Sequence, residues 1–199
     1  MPSKPISVFV LLGRTGSGKS TIARAIKEKL GLPSISFGEM ARAEIKAETA
    51  LGKILQPVLQ KAEPIPFEIA FDMIEKTLAS KPERFRNGFV LDNFPLSMVF
   101  VARLEAELKK RGMKVAAAYH IDAPKSLTRA RRAREPRGKL GAEAEAREKA
   151  FREETVRVLL YYRGKRLLRQ LDSTRAVRKN AARVGNALKR EKRLKKRPK

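Results

Sequence analysis

The sequence predicts an α/β fold, a parallel sheet of about five strands covered by helices on both faces. Three observations carry that expectation. Short apolar runs at Ile6 to Leu12, Gly88 to Asp92 and Lys114 to Ile121 have the length and near-continuous hydrophobicity of strands buried on both faces. Between them lie stretches with apolar residues at helical spacing, and such alternation gives a parallel sheet joined by right-handed crossovers. At 199 residues, 42% of them hydrophobic, the chain is long enough to bury one such core and short for two.

The elements follow in order. Ile6 to Leu12 is about seven residues long, against the ~20 that a membrane helix needs, and it runs straight into a glycine loop, so it reads as a buried strand and not as a leader or an anchor. Lys19 to Leu30 places Ile22, Ala23, Ala25, Ile26 and Leu30 near helical spacing, and Gly31 with Pro33 stops it. Ser34 to Ser36 is a short extended piece. Helical stretches follow around Glu39 to Lys61 and Phe67 to Ala79, separated by Pro64 and Pro66. After the strand Gly88 to Asp92, the turn Asn93 to Pro95 opens a helix to about Arg111. The strand Lys114 to Ile121 leads through Ala123 and Pro124 into an arginine-rich helix, Leu127 to Arg134. Glu135 to Gly141, with two glycines and a proline, is a loop. Ala142 to Leu168 reads as helix, Leu167 to Leu171 as a last short strand, and a final helix starts near Thr174. Ligands of such sheets sit at the carboxyl ends of the strands.

Composition narrows the chemistry. Without cysteine there is no disulfide framework and no thiolate metal site, and one histidine is too few for a histidine-based zinc centre. A reducing, cytoplasmic setting fits that composition. The formal charge is +25, and its distribution is uneven: from Lys125 to Lys199 there are 27 Lys/Arg against 8 Asp/Glu, a net +19, which leaves +6 for the first 124 residues. The stretch Arg178 to Lys199 holds 11 basic residues and one acid, Glu191. Such a tail has the charge to bind polyphosphate or nucleic acid, because neutralising phosphates releases their counterions; a solvated helix end is the plainer alternative.

Gly13-Arg14-Thr15-Gly16-Ser17-Gly18-Lys19-Ser20 satisfies the pattern G-x-x-x-x-G-K-[ST], with a strand before it and a helix after it. Glycines let backbone amides turn inward around phosphate oxygens, the helix N-terminus adds positive potential, Lys19 reaches the terminal phosphates of ATP and Ser20 can ligate magnesium. Asp92, ending the second apolar strand, stands where an acid would hold the same Mg2+. The fold expected is therefore of the P-loop NTPase type.

Three segments resemble the adenylate kinase family of nucleoside monophosphate kinases. They are the loop with its following Thr21, the stretch Ile35 to Arg42, and the run Gly88-Phe89-Val90-Leu91-Asp92-Asn93-Phe94-Pro95, with Asp122 to Pro124 and Glu154-Thr155 fitting in order. The resemblance covers roughly residues 6 to 175. It implies transfer of the γ-phosphoryl of Mg-ATP to a nucleoside monophosphate, with Lys19, Arg131 and Asp92 as catalytic residues. Residues Gly13 to Thr21 would bind ATP; Gly38, Arg42 and Asp92 would bind the acceptor; Arg134, Arg137 and Arg147 would serve the lid side. The domain expected is 1–177, with an acceptor segment of about 36–80 and a short lid of about 135–145 hinged at Gly138 and Gly141, followed by the basic tail 178–199.

The departures from the family pattern sit on the acceptor side. Leu96 stands where an arginine is expected, Asn93 where a glycine is, Phe37 where a small hydroxyl residue is usual and Phe100 where a glutamine would read the base. One phosphate-gripping arginine is thereby missing. His120 falls on an apolar strand and reads as a core residue. Three readings stay open: a nucleoside monophosphate kinase; a weakened relative that docks on RNA or a ribosomal particle through its basic second half; and an ATPase in which water is the acceptor. No membrane partner is expected.

Overall fold

The computed structural model describes residues 5–14, 16–61, 65–124, 126–128, 130, 142–174, 179–180 and 182–186, the side chains of 142–152 excepted. In chain order the elements are β1 (Ile6–Gly13), α1 (Lys19–Leu30), β2 (Ser34–Ser36), α2 (Phe37–Lys46), α3 (Ala50–Gln60), α4 (Phe67–Ser80), α5 (Pro82–Phe85), β3 (Phe89–Asp92), α6 (Met98–Lys110), β4 (Met113–Asp122), α7 (Ala142–Gly164) and β5 (Leu168–Asp172). The five strands form one sheet in the order β2-β3-β1-β4-β5, and every neighbouring pair is parallel.

The apolar runs are strands because both of their faces are covered. On one face Val8, Val10 and Leu12 of β1 pack with Phe71, Ile74 and Leu78 of α4, Val101, Leu104 and Leu108 of α6, and Val158 and Tyr162 of α7. On the opposite face Phe9 and Leu11 meet Ile22, Ala23 and Ile26 of α1 and Val184 of the C-terminal helical residues. A register shift between Val8 and Phe9, which pair with Val115 and Ala117, keeps the alternation of β4 in step with these two cores. Ala41, Leu55 and Met73 form a smaller cluster that ties α2, α3 and α4 together beside the sheet.

Three expectations are corrected. The helical span Glu39 to Lys61 is two helices, because Glu48 takes a positive φ of 52° and Thr49 caps α3 by accepting a hydrogen bond from the Gly52 amide at 2.9 Å. Helix α7 stops at Gly164 rather than Leu168: Arg166 is left-handed (φ 57°), the Leu167 amide bonds back to the Tyr162 carbonyl at 2.9 Å, and Leu168 pairs with Ala118 in the sheet. The third is the omission of the short helix α5, which Pro82 opens at its first turn.

Tyr162 is fully buried under the sheet, and its hydroxyl has no hydrogen-bond partner among the described residues. Burial, with the nearby Glu105 carboxylate and Tyr161, holds its phenol well above the ordinary value of 10. A buried hydroxyl without a partner costs about 1–3 kcal/mol. Tyr162→Phe is therefore expected to stabilise the protein by about 1 kcal/mol, raising the thermal midpoint by roughly 2–4 °C; a lower midpoint in differential scanning calorimetry would mean that the hydroxyl has a partner in solution.

Candidate functional site

The carboxyl ends of β1, β3 and β2 lie side by side, since Leu11 pairs with Asp92 and Asp92 pairs with Ser36. That register brings the glycine loop after β1, the acid ending β3 and the first turn of α2 to one edge of the sheet. Gly13 leaves β1 with φ 151°, and a Cβ there would meet the Ile121 carbonyl oxygen at 2.7 Å, so the loop lies tight against β4. Gly18 is left-handed (φ 98°) and caps α1 without a side chain. The Ser17 amide donates to the Arg14 carbonyl at 3.1 Å, closing the loop, while the buried Ser17 hydroxyl has no partner among the described residues.

Lys19 is only 8% exposed. Its Nζ folds into the mouth of its own loop and donates to the carbonyl oxygens of Gly13 at 2.7 Å and Arg14 at 2.9 Å. Burial lowers its pKa to about 8, against an opposing pull from the Asp92 carboxylate. Asp92 is buried as well, and accepts a hydrogen bond from the Ser20 hydroxyl, 2.8 Å away across 72 residues of sequence. Burial raises its pKa; the Ser20 hydrogen bond and the Lys19 charge oppose that rise, and the Glu39 carboxylate in the first turn of α2 adds to it.

Asp92 Oδ1 has no hydrogen-bond partner among the described residues. A hydroxyl and a carboxylate at hydrogen-bond distance, with one buried carboxylate oxygen to spare, are hard oxygen donors of the kind that hold magnesium together with its waters. The residues present thus fit Mg2+. Among the described residues no group of three or more His, Asp or Glu side chains could form a denser metal centre.

Of the residues expected to bind ATP, the described ones, Gly13, Arg14, Gly16, Ser17, Gly18, Lys19, Ser20 and Thr21, run from the end of β1 into α1, with Ser20 and Thr21 exposed. Thr15 lies outside the described residues, as do Arg131, Arg134, Arg137, Gly138, Gly141 and the tail beyond 186. Arg147 is placed on α7 by its backbone alone. Gly38 and Arg42 share one side of α2: Arg42 is exposed, and its Nη1 lies 3.2 Å from where a Cβ on Gly38 would stand. The guanidinium folds back over the glycine, an arrangement that a side chain at position 38 would push aside.

The residues that depart from the family pattern are packed inward. Phe37 packs against Phe94 in a tilted arrangement at 4.6 Å between ring centroids, Phe94 meets Phe100 at 4.8 Å, and Phe100 meets Phe67 at 4.6 Å. Arg103 lies over the Phe71 ring at 4.4 Å and pairs with Glu68 at 2.8 Å. Leu96 is half-buried and packs against the same core.

Sequence reasoning missed Glu39, whose only signal was its place one residue after Gly38. His120 is half-buried rather than a full core residue, and sits near the carboxyl end of β4 within the fields of the loop residues. Burial lowers its pKa from the ordinary histidine value, the Asp122 carboxylate opposes this, and the Arg14 and Lys19 charges add to the lowering. No helix among the described residues is long and apolar enough to cross a membrane.

A family model described as "Adenylate kinase" matches residues 11–167. The adenylate kinase of Moorella thermoacetica is 30% identical over 215 aligned positions, covering 92% of this chain and 98% of that protein. The adenylate kinase of Mycolicibacterium paratuberculosis is 35% identical over 159, covering 77% of this chain and 84% of the relative. The match to the adenylate kinase of Thermosipho melanesiensis, 35% identical over 119, covers 60% of this chain and about half of the relative, 55%.

Proposed function

Because the chain belongs to the adenylate kinase family, we propose that it is a nucleoside monophosphate kinase, moving the γ-phosphoryl of Mg-ATP to the phosphate of an acceptor nucleotide. The observation that carries this reading is the Lys19 ammonium held in the mouth of the Gly13 to Ser20 loop beside buried Asp92. Phosphoryl transfer asks little covalent chemistry of the protein; positioning and charge neutralisation do the work.

In this mechanism the donor phosphates enter the loop, where the amides of Gly16, Gly18 and Lys19 surround them, and Thr21 extends the contact. Lys19 leaves its two carbonyl partners for phosphate oxygens, a change that suits an ammonium whose charge is costly where it rests. Ser20 and Asp92 would hold Mg2+, which when bound neutralises charge on the terminal phosphates. Gly38 leaves room for Arg42, which grips the acceptor phosphate with its two-pronged fork, and Arg131 reaches the donor phosphates. Residues 1–177 would form the kinase domain, with 36–80 carrying the acceptor and 135–145 the lid, and the composition suits a cytoplasmic setting.

The test is a coupled assay of the purified protein with Mg-ATP and each nucleoside monophosphate in turn. ADP formation that depends on an added monophosphate is expected. Release of inorganic phosphate from ATP alone would favour the ATPase reading, and no turnover with any acceptor would overturn the kinase reading.

One observation favours a second activity: the net +19 carried by residues 125–199. The last basic run has no aromatic residues interleaved for stacking on bases, so RNA or ribosomal-particle binding there would rest on phosphate neutralisation with little sequence preference. Truncation after Leu188 is expected to weaken RNA binding at least tenfold and to flatten its salt dependence, while Mg-ATP binding is spared. Equal RNA affinity of the two proteins at two salt concentrations would return the tail to a solvated terminus.

A further inference from the structure

A parallel sheet returns every crossover to the same edge. All the strand pairs here are parallel, so the connections from α1 to β2, α5 to β3, α6 to β4 and α7 to β5 lie at the amino edge, the end away from the phosphate loop. Those connections, residues 27–33, 81–88, 109–114 and 163–167, hold 12 Lys/Arg against two acids, Glu28 and Glu83. All of these cations except Arg111 are exposed. Among the described residues only Lys110 and Arg111 of the set make an ion pair, both with Glu107. The folded body thus carries a concentrated basic face that the site at the carboxyl edge does not use.

Cations in the last turn of a helix complement the partial negative charge of its C-terminus, which accounts for Lys27, Lys29 and Lys109. It does not account for Arg86, Lys114 and Lys165, which stand beyond the last residues of their helices. Like charges gathered this closely repel one another, and a polyanion laid on them removes that cost. The described chain also ends here. A Cβ on Gly185 would stand 3.6 Å from Leu30, the last residue of α1, so the eight Lys/Arg of 187–199 are tethered beside the same edge.

The side chains on this face select among polyanions. Phe85, the aromatic residue of these connections, is buried, so unpaired bases find no platform for stacking. The exposed large apolar side chains, Ile54, Val99, Val156 and Leu160, lie within α3, α6 and α7, so nothing apolar on this face is placed to enter a lipid surface. The outer strands of a five-stranded sheet are about 19 Å apart, and a duplex carries one charge per about 1.7 Å, so a duplex laid across the edge presents on the order of ten phosphates.

We infer that the amino edge of the sheet is a docking surface for the phosphate backbone of a nucleic acid duplex, separate from the nucleotide site and adjoined by the C-terminal tail. The inference does not depend on the kinase reading. Binding there is by phosphate neutralisation, with little sequence preference, and leaves the phosphate loop open to Mg-ATP.

The test measures fluorescence anisotropy of mixed-sequence RNA and DNA duplexes of about 24 base pairs at about 50 and 200 mM salt. It compares the full-length protein, the truncation after Leu188, and each of these with Arg86→Gln, Lys109→Gln, Lys114→Gln and Lys165→Gln combined. In both backgrounds the four substitutions are expected to weaken duplex binding at least about tenfold and to flatten the slope of log affinity against log salt by about 3–4. Arg86→Lys, Lys109→Arg, Lys114→Arg and Lys165→Arg combined keep the charge and should keep the affinity. Mg-ATP affinity and the thermal midpoint of the glutamine variant should match the wild type, and saturating Mg-ATP should leave duplex binding unchanged. Tighter binding of one duplex names RNA or DNA as the partner and upholds the surface. No duplex binding by the wild type, binding only to vesicles of anionic lipid, a loss confined to the truncation, or displacement of the duplex by Mg-ATP would overturn it.

Discussion

Lys19→Ala is expected to reduce phosphoryl transfer by about a hundredfold to a thousandfold while leaving the fold intact. In the free protein the Lys19 ammonium donates to two backbone carbonyls of its own loop, at 2.7 and 2.9 Å. Losing those bonds costs stability, but removing a buried charge, whose pKa is pushed down to about 8, gives stability back, so the net change should stay within about 1 kcal/mol. The loss in catalysis has no such offset. The lysine is the side-chain cation seated in the loop itself, and removing one preorganised charge from a developing phosphoryl transition state costs about 3–4 kcal/mol, two to three decades or more in rate. Circular dichroism and thermal melting should match the wild type while the coupled assay drops to background. Turnover retained in the purified variant would remove the loop from the mechanism.

Gly52→Ala carries the second large effect, on stability. In an ordinary exposed helix this change would help by up to about 1 kcal/mol, because alanine loses less backbone entropy. Here the sign reverses. Gly52 is buried in the first turn of α3, and a Cβ would stand 2.2 Å from the Glu44 carbonyl oxygen and 2.8 Å from the Ile45 amide nitrogen. Those are backbone atoms of α2, so no side chain can swing aside; the two helices must part or the Thr49 cap must give way. Overpacking of this kind costs about 1–3 kcal/mol or more, enough to lower the thermal midpoint by roughly 5–10 °C. Because α2 also carries Gly38 and Arg42, which we propose bind the acceptor, the acceptor KM should rise more than that of Mg-ATP. A midpoint at or above that of the wild type would show that α2 and α3 are not held so closely in solution.

The strands and the loop were legible in the sequence because local constraints specify them. A run such as Ile6 to Leu12 has one stable fate in a chain of this size, and the glycine pattern ending in Lys19-Ser20 after a strand fixes both the loop and the start of α1. The short strand β2 and the helix at Phe67 were marked by flanking Pro33 and Pro66. Harder to read was the break at Ala47 to Thr49, since alanine and glutamate carry no breaker signal and threonine, though a favoured N-cap, also occurs inside helices; the cap bond from Gly52 and the close crossing of α2 and α3 decide it. The end of α7 was equally hidden, because Lys165 to Leu168 suits a helix and is drawn into the sheet by pairing with β4.

At the candidate site the same division holds. Sequence by itself determined the chemistry on hand: the phosphate-loop residues, the acid at Asp92, the arginine at 42, and the apolar residues at 37, 96 and 100 in place of polar ones. Only the tertiary structure decided which of them meet. Parallel pairing of β1, β3 and β2 sets Ser20 against Asp92 and brings Glu39 within its field, contacts that span tens of residues and leave no periodic trace. Burial, which no single residue encodes, lowers the pKa of Lys19 and leaves one oxygen each of Asp92 and Asn93 without a partner. Local sequence fixes which groups a chain can offer; the packing of distant segments fixes their distance and their exposure to water, and those two quantities govern what the groups can bind.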